Sequence, residues 1–241
     1  MYSSLVIAST GFVMTTMKRS KSTEDFTLVA EAAPSAAEVQ AKPRRAPGRP
    51  RSFDRDTALE SAMHVFWERG YETASISDLT AAMGINAPSL YGAFGDKEQL
   101  FLAAIERYIE KYGEMRARAL REEPTARAGI ERWLTEAARE LTRTNHPRGC
   151  MIEMATTNCS VGAERVWRSL RQRRANLLGA VARRIQASID AGDLKPTANV
   201  NGLAHFYSLV YQGMSVHARD GASRDVLLDI VQMAMRAWPD A

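Results

Sequence analysis

The sequence predicts an all-α protein in which a small three-helix unit precedes a larger helical domain. From residue 54 almost to the end, apolar residues recur at three- and four-residue spacing, and no segment alternates as a strand does. The 241 residues include only 15 glycines and 9 prolines, few for a β-sandwich or barrel. Two short helical segments are separated by a glycine turn at Gly84.

We predict about nine helices, each ended by a residue or run that disfavours helix. They cover residues 54–69, 77–83, 87–94, 97–121, 125–144, 150–158, 163–191, 198–219 and 223–238. The clearest stops are Gly70, Pro124, the run 145–149 and Gly192, since Gly and Pro commonly follow the last helical turn.

Helix starts in the small unit are marked by capping residues. Ser75 and Asp78 fit the capping-box pattern, and Asn86 can cap the next helix. Asp96 caps the helix after that, with Gln99 three residues on. Two short helices joined by a tight turn are typical of a helix-turn-helix, whose second helix enters the major groove of DNA.

Residues 48–101 resemble the DNA-binding domain of the TetR family of transcriptional regulators. The matching marks are the GRPR arm, FWERGY at the end of the first helix, DLTAAMGI in the second, and PSLYGAFGDKEQLF across the third and fourth. The resemblance implies a transcriptional repressor that binds a near-palindromic operator as a homodimer and responds to a small-molecule inducer. It places a helix-turn-helix DNA-binding domain at 48–100 and a helical regulatory and dimerisation domain at 101–241.

Residues 1–47 show no sustained periodicity, and we predict a disordered basic tail. Five basic residues fall within ten positions that contain no acid: Lys42, Arg44, Arg45, Arg49 and Arg51. Arginines in a flexible Gly-Pro arm can follow the minor groove, so Arg49 and Arg51 are candidate DNA contacts. The alternative is a solvated linker.

The third predicted helix would present one face to DNA. Its candidate contacts are Asn86, Ala87, Ser89, Tyr91 and Gly92. Asn suits adenine and Ser can pair with several base edges. The alternative is that Asn86 and Ser89 only cap and solvate the helix.

Phosphate contacts complete the predicted interface. The family resemblance implies that Tyr91 and Lys97 bind phosphates. Ser75 and Ser77, at the start of the second helix, can do so through their hydroxyls and the helix dipole. Many members of the family carry a bulkier polar residue where Gly92 stands, so one base contact is expected to be absent here.

The regulatory domain is expected to hold the inducer pocket, as it does in the family. Its candidate lining residues are Trp133, Met151, Met154, Trp167, Phe206, Tyr207 and Tyr211. Core packing is the alternative for each of them. The last two predicted helices carry apolar faces that predict the homodimer interface: Leu203, Phe206, Tyr207, Val210 and Met214, then Leu227, Ile230, Val231, Ala234 and Trp238.

Other functional classes find little support. Cys150 and Cys159 suit small buried hydrophobes, with an oxidation-sensing regulator as the alternative. His205 and His217 belong to no compact ligand cluster, so we expect no metal and no cofactor beyond the unknown inducer. An enzyme is disfavoured because no nucleophile–base pair or phosphate-binding loop is visible.

Composition is that of an ordinary globular protein, with 45% hydrophobic and 25% charged residues. The net charge of +4 permits nucleic-acid binding without proving it. Two cysteines make no disulfide framework, which favours a cytoplasmic protein. No run approaches the roughly 20 apolar residues of a membrane helix, so we expect no membrane partner.

Overall fold

The computed structural model describes residues 53–155 and 161–239. Within these ranges all regular structure is helical, which confirms the all-α prediction. The helices are α1 Arg55–Thr73, α2 Ile76–Met83, α3 Ala87–Phe94, α4 Lys97–Tyr112, α5 Glu114–Glu122, α6 Ala126–Leu141, α7 Met151–Met154, α8 Glu164–Asp190, α9 Val200–Arg219 and α10 Arg224–Met235, with a short 3-10 helix at Val161–Ala163. The predicted tail at 1–47 lies outside the described residues.

The predicted helix over 97–121 is two helices, α4 and α5, separated at Gly113. Gly113 keeps a helical backbone, and its N–H donates to the carbonyl of Ile109 at 2.7 Å. A Cβ at this position would lie 2.5 Å from that carbonyl oxygen. The close approach needs glycine, and it lets the chain bend where the expected helix was continuous.

Other boundaries differ from the sequence prediction, and the last helix ends at Met235 where residue 238 was predicted. The first helix continues past Gly70 to Thr73 through a kink at which Gly70 has a φ of +79°. The helix expected to reach residue 144 ends at Leu141. Of the helix expected at 150–158, only Met151–Met154 is helical in the described part, and 156–160 lie outside it.

Local capping produces the small N-terminal unit. The Ser75 hydroxyl accepts from the Asp78 N–H at 3.0 Å, and the Asp78 carboxylate accepts from the Ser75 N–H at 3.0 Å. Gly84 ends α2 in the left-handed conformation, with φ +64°, a conformation that glycine adopts at no steric cost. The turn and caps set α2 and α3 at the angle at which Leu79 and Leu90 are fully buried against α1 and α4.

The α1 indole of Trp67 joins this unit to the remaining helices. It is 1% exposed, packs edge-on against Tyr108 of α4 at 4.8 Å between centroids, and stacks on His146 at 4.5 Å. Its Nε1–H donates to the carbonyl of Gly149 at 3.1 Å. One buried side chain therefore ties α1 to α4 and to the segment before α7.

The C-terminal helices surround a second part of the core. Trp133 of α6 and Tyr211 of α9 are buried with ring centroids 5.3 Å apart, and Tyr207 packs against Trp238 after α10. Arg219, in the last turn of α9, donates to the carbonyls of Trp67 and Glu68 in α1, just before the kink at Gly70. In the part of the chain described, no helix combines the length and apolar character needed to cross a lipid bilayer.

Asp78 makes the stability of the small unit depend on acid pH. Hydrogen bonds from Ser75 and a 2.6 Å pair with Arg69 lower the pKa of Asp78 to about 2. A depressed carboxyl pKa contributes stability above its ordinary value near 3.8, which is lost as pH falls toward 2. We therefore expect Asp78→Asn to reduce the loss of unfolding free energy between about pH 4 and 2, measured by urea titration at each pH.

Asp229→Asn, which removes an exposed acid on α10, is the matched control and should leave the pH profile of the parent unchanged. If the unfolding free energies of Asp78→Asn and the parent fall in parallel as the pH is lowered, the role given to Asp78 is wrong.

Candidate DNA interface and ligand cavity

Helix α3 is held so that one face points away from the protein. Leu90 and Phe94 are 0% and 7% exposed and fix its inner face, while Asn86 caps its start by accepting from the Ser89 N–H at 2.8 Å. Tyr91 stands on the outer face and is 48% exposed, unusual for a large aromatic residue in a well-packed unit. The outer face thus presents polar and aromatic groups on a rigid support.

The residues predicted to contact DNA differ in their exposure to solvent. Ser75, Ser77, Asn86, Tyr91 and Gly92 are exposed, and Ala87, Ser89 and Lys97 are partly buried. Arg49 and Arg51 lie outside the described residues. The assignment of each of these residues to a DNA contact stays a prediction.

Two of the predicted phosphate contacts already have partners within the protein. The Ser75 hydroxyl both donates to and accepts from Asp78 in the capping box. Lys97 Nζ donates to the carbonyl of Glu72 at 3.2 Å and lies 4.7 Å from the centroid of the Tyr71 ring. Burial lowers the pKa of Lys97, with Glu72 opposing the shift. Lys97 therefore connects α4 to the end of α1 within the protein.

Gly92 has no packing reason to be glycine. Nothing lies within 4 Å of the place where a Cβ would stand, and its backbone is helical. Glycine inside a helix costs about 0.5–1 kcal/mol relative to alanine. The position therefore leaves an open, flat spot in the middle of the exposed face of α3.

A cavity of about 730 Å³ lies among the C-terminal helices. Its walls come from the end of α4, from α5, α6 and α8, from α7 and from the middle of α9. Trp133 and Tyr211, both predicted as ligand contacts, line it. Arg116, Leu120 and Leu177 line it as well and were not predicted. The signal for Arg116 was present in the sequence, because it shares the three- and four-residue spacing of the buried Ala119 and Leu120.

The other predicted ligand residues do not line this cavity. Met151 and Tyr207 are buried in the core at 1% and 0% exposure. Trp167 and Phe206 are exposed at 41% and 38%. Met154 lies in α7 next to Gly149 and is partly buried. Core packing therefore accounts for Met151 and Tyr207, whereas Trp167 and Phe206 lie on the surface of the subunit.

Cys150 is buried, as expected of a small hydrophobe, while Cys159 lies outside the described residues. The Tyr108 hydroxyl donates to the Cys150 sulfur at 3.4 Å, and the Cys150 N–H donates to the Ser215 hydroxyl at 2.8 Å. His205 and His217 are both exposed on α9. Across the described ranges, no three His, Cys, Asp or Glu side chains come together as metal ligands would.

Comparisons with known proteins agree with one another over most of the chain. Residues 58–104 match the model of bacterial regulatory proteins of the tetR family. The chain is 34% identical over 198 residues to the HTH-type transcriptional repressor ComR of Escherichia coli K12, covering 82% of this chain and 94% of ComR. It is 35% identical over 114 residues to the repressor BdcR of the same organism, covering 47% of this chain and 58% of BdcR.

Among solved structures, this chain is similar to a cysteine mutant of the TetR family transcriptional regulator CifR in complex with 26-bp double-strand operator DNA. The TM-score is 0.77 at 43% identity, covering 80% of this chain and 100% of that chain.

The open position at Gly92 gives a test that separates folding from binding. Gly92→Ala should raise the free energy of unfolding by about 0.4–1 kcal/mol, because alanine restricts the unfolded chain and fits the helix. If DNA approaches the α3 face closely at Gly92, the same substitution should weaken the binding of duplex DNA. Thermal unfolding and duplex titration on the same sample measure both effects.

Ala81→Gly is the reverse change at an exposed position on α2 and should lower stability. A Gly92→Ala protein that is more stable and binds duplex DNA as well as the parent would contradict a close approach at this site.

Proposed function

The chain belongs to the TetR family of transcriptional regulators, and from that premise we propose that it represses transcription as a ligand-responsive homodimer on a palindromic operator. Its named relatives are DNA-binding regulators and not enzymes. We assign DNA binding to residues 48–100 and effector binding and dimerisation to residues 101–241. The single observation that carries the proposal is the exposed face of α3, supported by buried Leu90 and Phe94.

The α3 face offers both kinds of DNA contact. Tyr91 can reach a phosphate, which fixes position without reading sequence. Asn86 and Ser89 lie at the start of α3, the end that reaches base edges in a helix-turn-helix. Arg49 and Arg51 would follow the minor groove from the basic arm. The operator complex of the similar CifR structure supports duplex DNA as the partner.

An apolar surface on α9 and α10 supports the homodimer. Phe206, Leu209 and Val216 of α9 and Val226 and Met233 of α10 are between 38% and 63% exposed. Because α9 and α10 pack against each other, these exposed apolar residues on two neighbouring helices indicate an interaction surface. Two copies related by a two-fold axis would bury the same residues against each other.

This apolar surface differs from the interface predicted from the sequence. Of that prediction, Tyr207, Met214, Leu227, Val231 and Ala234 are buried within the subunit. Leu203, Val210, Ile230 and Trp238 are partly buried, and Phe206 is exposed. The subunit core covers one face of each helix, which leaves the neighbouring face for a partner.

The cavity is connected to the DNA-binding unit by hydrogen bonds. Cys150 lines the cavity, and its neighbour Gly149 accepts from the indole of Trp67 in α1. Arg219 donates to the carbonyl of Arg148 at 3.1 Å and to those of Trp67 and Glu68. An effector that shifts the segment before α7 would therefore also move Trp67 and the part of α1 around it. The response is limited by the difference in affinity of the effector for the two conformations.

Oxidation sensing is the less favoured alternative. It would require a reactive thiol, and Cys150 is 2% exposed with its sulfur in contact with the Tyr108 hydroxyl. Buried thiols of this kind are generally inert.

Substitutions on α3 test the assignment of DNA binding. Tyr91→Ala should weaken binding to all duplexes equally, because a phosphate contact carries no base information. Asn86→Ser keeps a capping oxygen but removes the amide, so it should change preference among operator variants by about 1–3 kcal/mol. Ser89→Ala should change that preference as well. Titrations against a randomised site give both quantities.

Tyr91→Phe is the matched control for Tyr91→Ala, because it removes only the hydroxyl. An affinity for Tyr91→Phe between those of the parent and Tyr91→Ala would assign part of the contact to the ring. If the Tyr91→Ala, Asn86→Ser and Ser89→Ala proteins all bind like the parent, the role given to α3 is wrong.

The homodimer is tested at its two most exposed apolar residues. Leu209 and Met233 are 63% and 60% exposed, so a glutamate at either position should leave the subunit folded. In a dimer the two copies would bring these charges into an apolar interface. We expect Leu209→Glu and Met233→Glu to sediment as monomers at micromolar concentration and to bind an intact operator weakly.

Met115→Glu introduces the same charge at a 39% exposed position on α5 and should keep the state of the parent. A parent protein that is monomeric at micromolar concentration and binds the operator at full affinity would refute the dimer.

A further inference from the structure

Arg116 is a buried cation whose hydrogen bond and ring contacts in the described residues are with phenols. It lies on the inner stripe of α5 and is 9% exposed. Its Nη1 donates to the hydroxyl of Tyr211, and its guanidinium carbon lies 5.8 Å and 5.7 Å from the ring centroids of Tyr108 and Tyr211. The carboxylates of Glu140 and Glu153 interact with it electrostatically. Burying a cation is costly unless its N–H groups are hydrogen-bonded and its charge is paired.

The charge on Arg116 persists despite its burial. Burial works against the charged form, but the Tyr211 and Tyr108 phenols raise the pKa of Arg116 well above its ordinary value. Burial in turn raises the pKa of both phenols, so they remain neutral at physiological pH. The side chain is therefore a permanent cation whose hydrogen-bond partner, the Tyr211 hydroxyl, is neutral.

The rest of the cavity wall is also basic. Six arginines line it: Arg116, Arg121, Arg173, Arg174, Arg183 and Arg184. Arg121 and Arg173 form ion pairs with Glu114 and Glu106, and Arg184 donates to the Glu123 carbonyl at 2.6 Å.

Arg174 interacts electrostatically with Glu153, and its Nη1 is buried with no hydrogen-bond acceptor in the described part of the chain. Glu153 is the acid in the wall, and burial raises its pKa while Arg174 and Arg116 oppose the shift. Positive charge therefore exceeds negative charge around the cavity.

We propose that the effector of this regulator is an organic monocarboxylate whose acid group binds Arg116 and whose apolar body lies against Trp133 and Leu177. This inference rests on the proposed function in taking the cavity as the effector site.

The shape of the site favours a carboxylate with an apolar chain or ring. A guanidinium presents parallel N–H groups that match the two oxygens of a carboxylate. Between the arginines the wall also carries apolar side chains, those of Leu120, Trp133, Ile152 and Leu177. A volume of about 730 Å³ is typical of small-molecule sites. The anion would add a charged hydrogen-bond acceptor to Arg116, whose hydrogen bond in the described residues goes to the neutral Tyr211 hydroxyl.

The test compares acids with alcohols of the same length on the full-length protein. Straight-chain acids from hexanoate to hexadecanoate, and the matching alcohols, are titrated by calorimetry at neutral pH. We expect at least one acid to bind at least about tenfold more tightly than its alcohol, as a charge-assisted contact requires. We expect the same acid to release the protein from its operator.

Arg116→Met should remove that preference, with affinity for the acid falling about tenfold or more and affinity for the alcohol nearly unchanged. Arg121→Met, at a paired arginine of the same wall, should retain the preference. Tyr211→Phe, which loses the hydroxyl that orients Arg116, should reduce it partly. If Arg116→Met fails to fold, Tyr211→Phe and the parent titrations decide.

A parent that binds no acid more tightly than its alcohol would overturn the proposal, and so would a folded Arg116→Met that keeps the preference. Duplex titration of the same samples separates the two levels of inference. A protein that binds its operator but shows no preference for acids loses only the carboxylate proposal. A protein that binds no duplex contradicts the proposed function itself.

Discussion

The burial of one indole, that of Trp67, fixes how α1 packs against α4 and against the segment before α7. Trp67 is enclosed by Tyr108 and Tyr112 of α4 and by His146, and its N–H is satisfied by the carbonyl of Gly149. An unsatisfied indole N–H would be costly in this apolar setting, so the segment before α7 must sit where its carbonyl can accept. The position of α1, and hence of the α2–α3 pair packed on it, therefore depends on a contact made 82 residues away.

The same contact lies at the end of a continuous path from the cavity. Arg116 sits over the ring of Tyr108, Tyr108 packs edge-on against Trp67, and Trp67 belongs to the helix that supports the DNA-binding unit. The bend at Gly113 brings Arg116 of α5 back toward Tyr108 of α4. A ligand that draws Arg116 out of its present contacts would act on a packed interior, in which small shifts have few ways to be absorbed.

Much of the small unit is readable from the sequence because its structure is local. Ser75 with Asp78, and Asp96 with Gln99, form the capping boxes that the spacing predicts, and Asn86 caps α3. Each of these contacts spans three residues, so a single sequence contains all the information needed. The bend at Gly113 was missed because its cause is an approach to the Ile109 carbonyl, and glycine is also tolerated in continuous helices.

The sequence by itself determined the helical class, the helix starts of the small N-terminal unit, the turn at Gly84 and the candidate face of α3. Only the tertiary structure decided which aromatic residues of the regulatory domain line the cavity and which fill the core. Trp133 and Tyr211 line it, whereas Tyr207 is buried against Trp238. It also showed that Arg116 is buried among phenols and that Leu209 and Met233 are left exposed. The physical reason is that helical periodicity gives the direction of a side chain from its own axis, while burial depends on helices distant in sequence.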